Sequence, residues 1–309
     1  MKNKGLQVSF AWLFSIIVGA MILFLAIYMV TQFMGPSQQA SNIEVAKKVE
    51  NLLSPLETGF ESAVKTKMEF NVETRIENGC DLKGDFGNQI LTVSQKYFEE
   101  WSDSKDVNEI KIKNKYIFSE RRIEGENFVI FLKPFEFPFK VADLTYVFPL
   151  DKWYCFKDAP EKVENEISSL GFENILFDES ECGRHSEIID VCFEGVCDIT
   201  VDYDEEEDKG VVNHDVNFYG TALMYAAIFS DKDTYECQLA RLMKRAEILN
   251  KIYLDKIELT GCSENLKPEL LSLSGSLRSF SGSENLNSLA GLVESIDEKN
   301  EDNRVCSIW

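Results

Sequence analysis

Apolar residues run without a charge from Leu6 to Met34. The part from Val8 to Met34 makes roughly 40 Å of helix at ~1.5 Å per residue, more than the ~30 Å hydrocarbon core of a bilayer requires. A transmembrane helix is therefore expected over 6–34. Gly35 and Pro36 end it, since proline cannot continue the helical hydrogen-bond ladder. A second helix is expected from Ser41, where Ser41 and Glu44 form a capping box. Val45, Val49, Leu52, Leu53, Leu56, Phe60, Ala63 and Val64 follow the spacing of one helix face, with a kink expected at Pro55. That face suits either an oligomerising stalk or packing on the protein's own domain.

Beyond residue 66 the apolar period changes to two. Met68, Phe70, Val72, Thr74 and Ile76 alternate as in a half-buried strand. Residues 116–118 and 128–132 read as a hairpin about Glu124-Gly125-Glu126, with further strands at 145–148 and 153–156. A helix over 160–170 follows, with Asp158 as its N-cap and Gly171 beyond its end. A return strand over 173–177 completes an insert bounded by Cys155 and Cys182, read as a small subdomain. Residues 187–194, 196–203 and 211–218 read as a meander. The strongest soluble helix starts near Asp231, with Ser230 and Asp233 as a capping box. Its stripe is Tyr235, Leu239, Leu242, Met243, Ala246, Leu249, Tyr253 and Ile257, and Gly261 closes it. Two short helices, 267–274 and 285–296, lead to a charged tail that Cys306 and Trp309 are expected to pin.

The fold class is accordingly α+β: an N-terminal transmembrane helix followed by an antiparallel-sheet domain with packed helices. Its divisions are a leader (1–5), the membrane helix (6–34), a linker and amphipathic helix (35–66), a disulfide-bonded domain (67–262) and a C-terminal helical segment and tail (263–309).

The 309 residues carry a net charge of −21, and residues 1–40 contain Lys2 and Lys4 but no acid. So acidic a domain does not suit nucleic acid, whose phosphates demand a basic face. Lys2 and Lys4 ahead of the span favour a cytoplasmic N-terminus and an extracytoplasmic remainder. Cysteine placement agrees. Cys80, Cys155, Cys182, Cys192, Cys197, Cys237, Cys262 and Cys306 all follow the span, and an even number in an exported region suggests disulfides. Cys192 and Cys197 would face each other across a two-residue hairpin turning at Glu194-Gly195, although each can instead pair with Cys155 or Cys182. A continuous helix between Cys237 and Cys262 would hold them up to ~37 Å apart. Cys237 must then look to the sheet, and Cys262 to another segment such as Cys306.

Lys4-Gly5, then Leu6, then Gln7-Val8-Ser9-Phe10 running into an apolar helix resembles the class III signal peptide of archaeal type IV pilin-like proteins. The resemblance covers about thirty residues. It implies cleavage at Gly5 and Leu6 by a dedicated peptidase, and a helix that anchors the protein or packs in a filament. Ala11 stands where the family commonly carries a glutamate that serves filament assembly, and a plain signal anchor accounts for the same residues.

Other chemistry has weaker support. The acidic run 202–208 lacks the mid-loop glycine of an EF-hand and reads as a solvated hairpin loop rather than a calcium site. Cys182 and His185 with Cys192 and Cys197 lack the two tight pairs of a zinc site. His214 and Asp215 adjoin within a strand pattern, where neighbours point to opposite faces. Arg241, Lys244 and Arg245 form a basic face suited to ordinary surface ion pairs or an acidic partner. Phe135-Glu136-Phe137-Pro138-Phe139 reads as a core edge strand or an aromatic lip. No metal, cofactor or catalytic residue is assigned. The expected function is a membrane-anchored structural or binding protein in contact with the bilayer, homo-oligomeric or pilin-like in assembly. The alternative is a membrane-tethered hydrolase without a recognisable motif.

Overall fold

The computed structural model describes residues 10–29, 64–97, 100–101, 109–185, 188–302 and 306–309. Helix α1 (Phe10–Met29) is apolar throughout, with a mean hydropathy of 2.6, and is long enough to cross a membrane. The processing pair Gly5 and Leu6, and the expected helix from Ser41 as far as Ala63, lie outside the described residues. Val64, the last position of that expected stripe, begins a strand instead.

The first sheet has seven strands: β1 (Val64–Asp81), β2 (Asn88–Tyr97), β3 (Glu100–Trp101), β4 (Ile110–Ile112), β5 (Tyr116–Phe118), β6 (Arg122–Glu136) and β7 (Lys140–Pro149). The order β2-β1-β6-β7 is antiparallel, β5 joins β7 in parallel, and β3 and β4 both pair with β2. The hairpin expected about Glu124-Gly125-Glu126 does not form. β6 runs straight through these residues, with Gly125 opposite Thr74 and Glu124 opposite Arg75. The long partner strand β1 supplies hydrogen bonds and an Arg75–Glu124 ion pair (2.7 Å), so the apparent turn stays extended.

The sheet curls. At its far end β5 returns to β1 and β2, and side-chain amides close the seam in place of a backbone ladder. Asn78 Nδ2 donates to Ile117 O (3.0 Å) and Ser119 Oγ (2.9 Å), while Ile117 N donates to Gln89 Oε1 (3.0 Å).

The second sheet has six strands in the order β13-β12-β11-β10-β8-β9. These are β8 (Trp153–Lys157), β9 (Ile175–Leu176), β10 (Ile188–Cys192), β11 (Ile199–Asp204), β12 (Lys209–Val212) and β13 (Val216–Tyr219). Its pairings from β11 through β10 and β8 to β9 are parallel. Both sheets are therefore mixed within an α+β fold. Helix α2 (Glu161–Leu170) links β8 to β9. Its N-cap is Pro160 with no side-chain cap, so Asp158 does not cap it, while Gly171 ends it in the left-handed region. Val163 and Ile167 pack into the main core, which makes the β8–α2–β9 insert part of that core. Short α3 (Glu179–Cys182) follows.

The expected strand over 211–218 is two strands, β12 and β13, split at Asn213 and His214, both with positive φ. Helix α4 (Gly220–Phe229), absent from the sequence reading, is buried from Thr221 to Phe229 and touches both sheets. Helix α5 (Lys232–Thr260) packs across β1, β5 and β7, and α6 (Lys267–Arg278) and α7 (Leu286–Asp302) complete the helical layer. Asp231, not Ser230, caps α5 by accepting from Thr234 N (3.0 Å). Ser230 Oγ instead donates back to Ala226 O (2.6 Å), closing α4. Phe135, Phe137 and Phe139 are all buried, so that run belongs to the core.

Candidate functional site

All eight cysteines pair. Cys80 of β1 meets Cys237 of α5 (Cα–Cα 6.3 Å), and Cys155 of β8 meets Cys182 of α3 (5.8 Å). Cys262, just past α5, holds Cys306 of the tail at 5.4 Å. Cys192 and Cys197 pair at 6.1 Å, but not across a hairpin. β10 and β11 are parallel, and the bridge staples the short link between them, where Gly195 takes a φ of 85°. The tail is further held by Trp309, whose ring lies edge-on to Phe139 (5.5 Å) and Tyr253 (5.1 Å).

One turn after Cys237 stands Arg241, which sequence reasoning placed on an exposed basic face. It is fully buried. Its Nε donates to Phe86 O (3.1 Å), Nη1 to Lys115 O (2.8 Å) and Gln238 Oε1 (2.6 Å), and Nη2 to Lys113 O (2.9 Å). The guanidinium also lies 4.7 Å from the Tyr116 ring centre. It thus clasps the β1–β2 and β4–β5 loops to α5. Burial lowers its pKa from 12.5 to about 10, so it stays charged at neutral pH. Gln238 Nε2 donates to Gln89 Oε1 (2.6 Å), which joins this clasp to the amide seam of the first sheet. A readable signal existed for the seam: Asn78 and Gln89 are polar at positions sharing parity with Ile76 and with Leu91.

A cleft of about 590 Å³ lies where the first sheet meets β10. Ile123, Pro149, Ile188 and Ile189 form its apolar floor, and its acidic rim includes Asp151 and Asp198. Much of the rim charge is paired: Lys152 with Glu120 (2.5 Å) and Arg122 with Glu77 (2.9 Å). Its lining holds carboxylates and Lys152 but no hydroxyl, thiol or imidazole.

The remaining sequence candidates are dispersed. His185 stacks on Trp153 at 3.6 Å, and His214 sits in the β12–β13 turn while Asp215 pairs with Lys232 (2.9 Å). Residues 202–208 form the β11–β12 hairpin. There Asp204 accepts from Glu206 N and Glu207 N, and Asp208 accepts from Tyr203 Oη. Among the described residues no group of three or more His, Cys, Asp or Glu could hold a metal ion. A trio that sequence reasoning missed joins the half-buried Lys133 and Glu166 to the buried Tyr225. Glu166 takes both the Lys133 ammonium and the Tyr225 hydroxyl (2.9 Å), and burial beside that carboxylate holds the Tyr225 phenol far above its ordinary range. The trio sutures α2 to β6 and α4. Set against protein-family models, curated proteins and solved structures, the chain finds no match.

Proposed function

We propose that this chain is a membrane-anchored, extracytoplasmic structural or binding protein, a pilin-like surface component whose α+β head is displayed outside the cell. The observation that carries the reading is α1: apolar along its whole length and with none of its length buried against the head. Such a surface is stable in hydrocarbon and costly in water. The four disulfides support an oxidising destination for the head. Lys2 and Lys4 ahead of the span favour a cytoplasmic N-terminus. Assembly between copies, if it follows the pilin-like pattern, runs through this helix.

Two measurements test the reading. Protease added to intact cells should remove the head and leave the first forty residues, whereas protection of the head reverses the orientation. Mass spectrometry of membrane-extracted protein should find a mature N-terminus at or next to Leu6. An intact Met1 in cells that hold the peptidase leaves a plain signal anchor.

A further inference from the structure

A second cavity, of about 500 Å³, opens beside the cleft at β10 and shares Asp151 with it. β6 contributes Glu126 and Asn127, the β7–β8 turn Leu150 and Asp151, β8 Trp153, and the approach to β9 Glu173 and Asn174. Backbone bonds fix this frame: Leu150 N donates to Asn127 O (2.9 Å), and Tyr154 N to Asn174 O (2.9 Å). The stacked His185 steadies Trp153. Arg122 and Lys152 line the neighbouring cleft, whereas among the described residues no cationic side chain lines this cavity. Lys67 pairs with Glu173 (2.9 Å), but Glu126 and Asp151 have no ion pair among the described residues. Asn174 adds an unspent acceptor. It is 1% exposed, and its Nδ2 donates to Lys152 O (2.7 Å) and Pro149 O (3.4 Å). Those two carbonyls turn Oδ1 the other way, where it has no hydrogen-bond partner. A buried carbonyl left so calls for a donor.

We propose that this cavity binds a small organic cation carrying ammonium groups on a short carbon chain. The unspent groups are two carboxylates and an amide oxygen, all acceptors, so the ligand must bring donors, and a cation also answers the charge. Leu150 and Trp153 receive its carbon body, and the indole face attracts an ammonium as well. A bare metal ion does not fit. Among the described residues no group of three or more His, Cys, Asp or Glu could hold one, so these carboxylates do not converge on a point. A molecule with a nitrogen at each end reaches separated acceptors, and the volume suits a small organic ligand. The site is built from the head alone and stands whether or not α1 spans a membrane.

Cadaverine, a linear diamine, is the probe. It is titrated into the full chain in non-ionic detergent while NMR follows the Trp153 indole N–H, assigned by its loss in Trp153→Phe. A saturable shift is expected, with a Kd below about 1 mM. Pentanediol keeps the length and the donors but not the charge, and should bind at least about 10-fold more weakly. The double variant Glu126→Gln, Asp151→Asn should weaken cadaverine by at least about 10-fold, and with both residues exposed it should melt with the parent chain. No shift by about 10 mM cadaverine, or an equal response to the diol, overturns the proposal. An undiminished response in the double variant overturns it too, since it marks diffuse attraction to an acidic surface. Calcium chloride saturating the same signal at a lower concentration than cadaverine overturns it in favour of a metal ion.

Discussion

Arg241 shows what a single buried charge demands. Its planar fork meets carbonyls from two loops, and removing it leaves those acceptors and Gln238 without a donor in a site closed to water. Arg241→Leu is expected to cost roughly 3–5 kcal/mol from unsatisfied acceptors and lost packing. Arg241→Lys should recover little of this, because an ammonium cannot span the three carbonyls. Urea unfolding of both variants checks the prediction, which fails if Lys restores the midpoint. Gly87 belongs to the same clasp. Its φ is 60°, and an added Cβ would stand 2.4 Å from Asp81 O and 2.9 Å from Arg241 Cγ. Gly87→Ala should therefore destabilise by at least about 1 kcal/mol, through both backbone strain and the clash. The same substitution at Gly84, which has open space but a φ of 79°, should show the backbone cost alone.

At the scale of elements, caps and sutures decide stability. Asp231 accepts from Thr234 N and Oγ1, and also from Arg121 N (2.6 Å) in the loop before β6. Asp231→Ala should then cost about 2 kcal/mol, the upper end for a helix cap, while Ser230→Ala costs less. Thermal melts of the two variants rank them. The C-terminal helices are tied by carboxylates. Glu247 accepts from Arg278 (2.8 Å) and pairs with Lys251 (3.0 Å), and Glu269 pairs with Lys299. These hydrogen bonds hold both carboxyls below their ordinary 4.5. A depressed folded pKa contributes stability that is present above the unfolded value and lost as pH falls through the folded one. Protection factors at α6 and α7, taken against the intrinsic exchange rate at each pH, should consequently fall below about pH 4.5, ahead of those of the two sheets. Lys299→Met should flatten that dependence for α7. Local sequence made α5 legible through its stripe, whereas α4 was invisible because a helix apolar on all sides has no face to betray it.

For the whole molecule, the disulfides differ in what they hold. Cys80–Cys237 spans 157 residues and Cys192–Cys197 only 5. On the chain-entropy account these correspond to about 5 and about 2 kcal/mol. Replacing each pair by serines should rank their unfolding midpoints in that order, and equal effects would refute the entropic account here. The apolar span, the α+β class and the long α5 were all legible in the sequence, because periodicity and length are local properties of the chain. So was the separation of Cys237 from Cys262, since helix rise alone forbids that bond. Tertiary structure alone decided the rest. It made β10 and β11 parallel, drew Arg241 from an apparent surface into the core, and carried β6 through its apparent turn. In each case a partner distant along the chain supplied the hydrogen bonds: β8 for β10, the β1–β2 and β4–β5 loops for Arg241, and β1 for β6. No local pattern records which distant segment will satisfy a backbone or a buried charge, and in this protein that choice settled each of them.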